Sequence, residues 1–150
     1  MKFFIQQLLE NKILITAMTS WATAQLLKVF TNYLKVKRFD AERIVGAGGM
    51  PSSHTALVVS LATAIGLQHG WSSSLFAIAS ILAGIVMYDA AGVRRAAGKQ
   101  AKILNKLIAE YHTSHAVSEG RLKELLGHTP VEVLAGALLG IVMAYGLYIR

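Results

Sequence analysis

The last apolar run of the chain reads Val131-Glu-Val-Leu-Ala-Gly-Ala-Leu-Leu-Gly-Ile-Val-Met-Ala-Tyr-Gly-Leu-Tyr-Ile149, with a single charge, Glu132, at its start. A helix rises about 1.5 Å per residue, and a bilayer has a hydrocarbon layer about 30 Å thick, so ~20 such residues cross it. The run reads as a transmembrane helix. Gly136 and Gly140 stand four apart within it, a spacing that lets a neighbouring helix approach closely.

The whole chain shares that character. It has 150 residues, one domain's worth, of which 54% are apolar and 15% charged. Soluble domains average about 45–50% apolar and about 25% charged residues. The shift argues against a disordered tail and against an ordinary water-soluble fold. The absence of cysteine excludes a disulfide scaffold, a cysteine nucleophile and a thiolate metal site.

Nearer the N-terminus, Ile13 to Leu34 forms a second long run, interrupted by Gln25 and Lys28. Lys2, the apolar run and Ala22-Thr23-Ala24 imitate a signal peptide. Glu10 and Asn11 break that pattern, and apolarity continues through Leu26, Leu27, Val29 and Phe30. Two shorter runs, Thr55–Leu67 and Leu75–Tyr88, flank a tight turn at Gln68–Ser72. With their caps they reach ~17–18 residues, the lower edge for a span, and a tilted or partly buried hairpin is the alternative. Asp89 to Pro130 is the one long polar section. Inside it Ala96–Tyr111 places Ile103, Leu104, Leu107 and Ile108 on one helical face and Lys99, Lys102 and Lys106 elsewhere, as in an amphipathic helix at a membrane surface. His112–Gly120 reads as a loop and Arg121–Leu126 as one more short helix. The expectation is an all-α helical membrane bundle of about four spans with an amphipathic surface helix, a single domain over residues 1–150. A bundle of short helices is thin, which leaves room for a homo-oligomer.

The net charge of +7 is compatible with nucleic acid, anionic lipid or a phosphate-bearing substrate. With four crossings, one side carries Lys2, Lys12 and Arg150. The other carries eleven basic residues, in the loops 35–54 and 89–130. Positive charge accumulates on the cytoplasmic side, so both polar loops are expected in the cytoplasm of an integral membrane protein of the bacterial plasma membrane. Basic residues beside spans need no nucleic acid to explain them.

The same sorting brings His54, Asp89, Arg94, Arg95 and His128 to one membrane face. Gly48-Gly49-Met50-Pro51-Ser52-Ser53-His54 is a glycine-rich loop entering a helix, with Ser52 or Ser53 as N-cap and free N–H groups able to hold an anion. Gly127-His128-Thr129-Pro130-Val131-Glu132 is a second helix start, in which Thr129 caps, Pro130 is the first helical residue and Glu132 closes a capping box. Two helix N-termini, two histidines and a pair of arginines describe a phosphate pocket. A neutral imidazole attacks phosphorus when its other nitrogen donates to a carboxylate; His128 with Glu132 or Asp89 fits. A second histidine, His54, fits as the acid that protonates the leaving alkoxide and later activates water. Arg94, Arg95, a lysine and loop amides fit the phosphoryl oxygens. No metal and no cofactor is required. Each element has a plainer reading. The serines and Glu132 cap helices, the arginines follow the positive-inside rule, Asp89 pairs with Arg94 or Arg95, and His69, His112 and His115 are incidental.

Met50-Pro51-Ser52-Ser53-His54 resembles the P-S-G-H motif of the type 2 phosphatidic acid phosphatase superfamily, and Gly127-His128-Thr129-Pro130-Val131-Glu132 resembles its G-x-H-x-x-x-D motif. Nearly the whole chain, including Tyr88-Asp89-Ala90-Ala91-Gly92-Val93-Arg94-Arg95, resembles the divergent bacterial and plastid branch of that superfamily, also described as acid phosphatase/vanadium-dependent haloperoxidase-related. The resemblance implies His128 as nucleophile, His54 as general acid, Glu132 as the orienting carboxylate and Ser53 as a backbone phosphate ligand. The sequence departs from the superfamily pattern in four ways. Ser53 stands in place of Gly and Glu132 in place of Asp. The K-x6-R-P motif is absent, with Lys28 or Lys35 as a partial substitute. The arginine of S-R-x5-H is missing, a role then falling to Arg94 or Arg95. The implied activity is metal-independent hydrolysis of a lipid phosphate. The competing expectation is a non-catalytic membrane protein that binds or moves an anion or a phosphorylated lipid headgroup. A soluble helical dimer is the third option.

Overall fold

The structure is a computed structural model that describes residues 1–37, 49–111, 122 and 127–148. The expected helix at 121–126, the loop at 112–120 and the charged residues of 38–43 with Gly46 and Gly48 lie outside the described residues, apart from Leu122.

The described residues form α1 (Lys2–Glu10), α2 (Lys12–Val36), α3 (Ser53–His69), α4 (Ser74–Ala91), α5 (Val93–Tyr111) and α6 (Pro130–Tyr148). No strand occurs among them, so the fold is all-α. Side-chain caps set the starts. Asn11 accepts from the Leu14 N–H at 3.0 Å, Ser52 from Thr55 at 3.4 Å and Ser73 from Phe76 at 3.2 Å. Each satisfies a backbone donor that the helix itself leaves unpaired. The cap at Asn11 also explains α1, which the sequence reading left unassigned: the break at Glu10–Asn11 is a junction between two helices. Likewise α5 starts at Val93, ahead of the expected Ala96, because α4 ends at Gly92 and the chain re-enters a helix at once.

Three stretches are long and apolar enough to cross a membrane: Lys12–Leu34, Ser74–Ala109 (which contains α4) and Pro130–Tyr148. The fourth expected span, α3, has 17 residues, about 26 Å of helix. It is the central element, packed against α2, α4 and α6. Its buried residues are Ser, Thr, Ala, Val58 and Gly66. Small residues let helix axes approach closely where lipid gives no hydrophobic drive for helices to associate. Gly136 shows how closely: a Cβ there would lie 2.4 Å from the Ser52 carbonyl oxygen, and at Gly140 one would lie 2.7 Å from that of Ala56. The expected glycine pair is thus the contact of α6 on α3. Large apolar residues point outward instead; Leu26, Phe30, Ile78, Ile81, Ile85, Leu134 and Leu138 are all exposed. An interior of small residues under a coat of large ones suits a lipid surround.

α3 and α6 both begin at the end of the bundle where α2 and α4 finish. Ser52 N–H donates to the Glu132 carbonyl at 3.0 Å, and His128 N–H donates to that of Ala90 at 2.9 Å. At the opposite end the Tyr148 hydroxyl donates to Gln68 at 2.6 Å. The two glycine-containing loops therefore share one end, as the charge sorting required.

Candidate functional site

The site is built on two helix N-termini held together by backbone. The Ser52–Glu132 bond joins the start of α3 to the start of α6, and the His128–Ala90 bond joins α6 to the end of α4. Gly127 permits the second join. Its φ is +88°, and a Cβ would lie 2.4 Å from the Arg95 nitrogen and 2.7 Å from the Arg94 carbonyl carbon. A residue other than glycine meets backbone there and is also strained in φ.

His128 is 4% exposed. Its Nδ1 lies 3.2 Å from Glu132 Oε2. The same carboxylate oxygen accepts the Thr129 N–H at 3.0 Å, and Thr129 Oγ1 accepts the Glu132 N–H at 3.3 Å. The reciprocal capping box is therefore formed. Capping and ring orientation, two separate readings of Glu132 in the sequence, are served by one carboxylate. A carboxylate on Nδ1 favours the tautomer that carries its proton there. Burial pushes the His128 pKa below the ordinary imidazole value. Glu132 and a hydrogen bond with the Gly49 backbone pull it back up, but burial wins. Burial thus favours the uncharged ring.

Lys28 reaches this end from within α2. The buried residues Thr16, Ser20, Ala24 and Lys28 recur every four positions, one face of a helix. Ser20 Oγ donates to the Ala56 carbonyl at 3.2 Å along that seam. Lys28 is only 2% exposed, and its Nζ donates to Ser53 Oγ at 3.3 Å. One turn on, Thr31 Oγ1 donates to the Met50 carbonyl at 2.7 Å, fixing the loop ahead of α3. Ser52 is wholly buried and caps α3, as its Oγ also accepts from the Thr55 hydroxyl at 3.0 Å. Ser53 is buried as well. His54 is exposed and lies within electrostatic reach of Arg94, Lys28 and His128.

Asp89 stands apart from this cluster. Its Oδ2 lies 2.6 Å from Arg94 Nε, with the two side chains 36% and 50% exposed. The plainer sequence reading of Asp89, an ion pair with a neighbouring arginine, is the arrangement present. Of the two carboxylates offered to His128, Glu132 is the one on the ring. Arg95 is exposed and contributes its backbone to the seat of Gly127. Sequence reasoning singled out neither Thr31, whose signal is its position one turn after Lys28, nor the Ala90 carbonyl, which has no side-chain signal. Among the described residues, no three His, Cys, Asp or Glu side chains gather as metal ligands.

Arranged this way, the end of the bundle offers an oriented imidazole, a buried ammonium group and a helix N-terminus facing a second histidine.

Comparisons with known proteins agree with the motifs. The chain matches the Divergent PAP2 family over residues 9–143. It is 40% identical over 148 residues to the Bacillus subtilis (strain 168) protein named Uncharacterized membrane protein YuiD, covering 91% of this chain and 94% of that one. No solved structure matches. With the motif residues gathered at one end of a membrane bundle and the match running through nearly its whole length, this membrane protein belongs to the Divergent PAP2 family.

Proposed function

We propose that this protein hydrolyses a phosphate ester on a lipid, with His128 as nucleophile. The observation that carries the reading is the His128–Glu132 pair, a buried imidazole whose Nδ1 is held by a carboxylate at 3.2 Å. In the first step Nε2 attacks phosphorus in line, the P–O bond to the lipid breaks, and His54 donates a proton to the departing alkoxide. In the second, water attacks the phosphohistidine, His54 takes its proton, and inorganic phosphate leaves with His128 restored. Lys28, the N–H groups at the start of α3, and Arg94 or Arg95 neutralise the phosphoryl oxygens. Asp89 contributes by holding Arg94. No step needs a metal or cofactor.

The membrane setting favours a lipid substrate, whose chains stay in hydrocarbon while the phosphate enters the interfacial loops. The excess of basic residues on the side of these loops supports a cytoplasmic orientation and an anionic substrate. Release of inorganic phosphate from short-chain lipid phosphates in detergent, with chelator present, tests the reading. Turnover that is lost in His128→Ala supports hydrolysis. Saturable headgroup binding without turnover supports the second reading, a non-catalytic binder or carrier of phosphorylated headgroups. The burial of Lys28 against Ser53 favours that second reading to the extent that it builds an anion site irrespective of chemistry.

A further inference from the structure

α5 presents three distinct faces. Ile103, Leu104, Leu107 and Ile108 form an exposed apolar strip. Arg95, Lys99 and Lys102 are exposed on another side. The one acidic residue of the helix, Glu110, stands in its last turn. The third face is turned to the protein. Ala101 is buried, and Asn105, one turn later, grips the backbone of Leu122 with both ends of its amide: Nδ2 donates to the Leu122 carbonyl at 2.8 Å, and Oδ1 accepts the Leu122 N–H at 3.0 Å. Leu122 precedes Gly127 by five residues, and Gly127 is seated on the Arg94–Arg95 backbone at the start of the same helix. Leu122 and Gly127 are thus each attached to α5, which among the described helices packs on α4.

We propose that α5 docks on an anionic lipid leaflet and that this docking, passed through Asn105–Leu122 and through Gly127 on Arg94–Arg95, sets the position of His128. The occupant is a lipid surface because an exposed apolar strip on a helix with five basic residues against one acidic residue, Glu110 in its last turn, matches hydrocarbon beneath negative headgroups. Each basic residue near such a surface multiplies the affinity roughly fivefold, so lipid charge controls how firmly α5 is held. Asn105 is a positioning residue that acts only through the Leu122 backbone it holds. The inference rests on the phosphatase reading for its effect on turnover, but not for the coupling itself.

The full chain, reconstituted in phosphatidylcholine vesicles with and without phosphatidylglycerol, provides the test. Hydrogen exchange is followed at residues 127–132, and phosphate release is measured in parallel. We expect exchange around His128 to slow several-fold with phosphatidylglycerol, and the response to disappear in Asn105→Ala. In the paired surface variant Lys99→Gln with Lys102→Gln, which alters no packing, the response shrinks while exchange in pure phosphatidylcholine stays as in the native protein. Equal exchange in both vesicles overturns the proposal. So does a response that follows protein concentration rather than lipid charge, which assigns the apolar strip to a second copy of the chain. Charge-dependent protection without phosphate release in any lipid leaves the coupling standing and removes the phosphatase reading. Phosphate release without charge-dependent protection does the reverse.

Discussion

Ser52 gives its backbone N–H to the carbonyl oxygen of Glu132 at 3.0 Å, so the residue that caps α3 is bonded to the residue that orients His128. The start of α3 and the imidazole are fixed relative to each other by main chain, not by flexible side chains. In the proposed reaction this spares the site a search between phosphate and nucleophile, which is how positioning lowers a barrier.

The carboxylate on His128 matters more than its neighbour on Arg94. Replacing Glu132 with Gln removes the group that selects the Nδ1 tautomer, and phosphate release is expected to fall by about 10²–10⁴-fold. Asp89→Asn breaks an ion pair that is more than a third exposed on both sides. Such pairs contribute about 0–1 kcal/mol, so activity is expected to drop far less. Equal losses in the two variants would argue against Glu132 as the orienting group.

Burial sets the acid limb of the pH profile. A nucleophilic imidazole must be neutral, and burial holds the His128 pKa below its ordinary value. The rate is therefore expected to rise with pH along a limb centred below pH ~6.5 and to fall on the basic side as His54, whose pKa burial and then the charges of Arg94, Lys28 and His128 also lower, loses the proton it gives the leaving group. Glu132 acts to raise that pKa, so in Glu132→Gln the residual activity should show the limb moved to still lower pH. Stability follows the same sign: this ring's contribution is complete above pH ~6.5 and is lost as pH falls through the folded-state value. Detergent-phase melting against pH, in native protein and His128→Asn, measures it.

Lys28 is expected to act on the phosphate and not on the fold. Lys28→Met keeps most of the length and volume of the side chain while removing its charge. Its hydrogen-bond partner is the neutral Ser53 hydroxyl, so the change removes the cost of burying an ammonium group without leaving that partner as an unpaired charge. The melting temperature should hold or rise while phosphate release, or headgroup affinity if the protein is a binder, drops by about 10²-fold. A variant that melts lower and retains activity would assign Lys28 a structural role.

Two glycines in the membrane-spanning helices should respond in opposite directions to the same change. A Cβ on Gly136 would sit 2.4 Å from the Ser52 carbonyl, whereas one on Gly84 meets nothing within 4 Å. Gly136→Ala is expected to cost about 1–3 kcal/mol through overpacking and to lower activity by displacing the Ser52 loop. Gly84→Ala is expected to stabilise by about 0.5–1 kcal/mol with activity unchanged. Thermal denaturation of both variants in one detergent provides the comparison.

Most of the helical framework was legible from residue order. Apolar run lengths marked the helices, capping residues marked the starts of α3 and α6, and basic residues sorted the two loops to one side. These are local quantities, decided within a turn or two of helix or by charge counted along the chain. The His128–Glu132 contact belongs here too, since four residues apart on one helix start is a fixed distance. The boundary at Asn11 escaped because a polar interruption within an apolar run reads equally as a break or as a cap.

What needed the tertiary structure was every pairing between distant segments. Lys28 and Ser53 are 25 positions apart, and nothing in either local pattern says that a lysine within a membrane helix turns inward and meets that serine. The choice between Asp89 and Glu132 as partner of the ring, the seat of Gly127 on the α5 backbone and the grip of Asn105 on Leu122 are likewise results of packing. Periodicity reports that a residue has a buried face; only the close approach of small-residue helices decides what it is buried against.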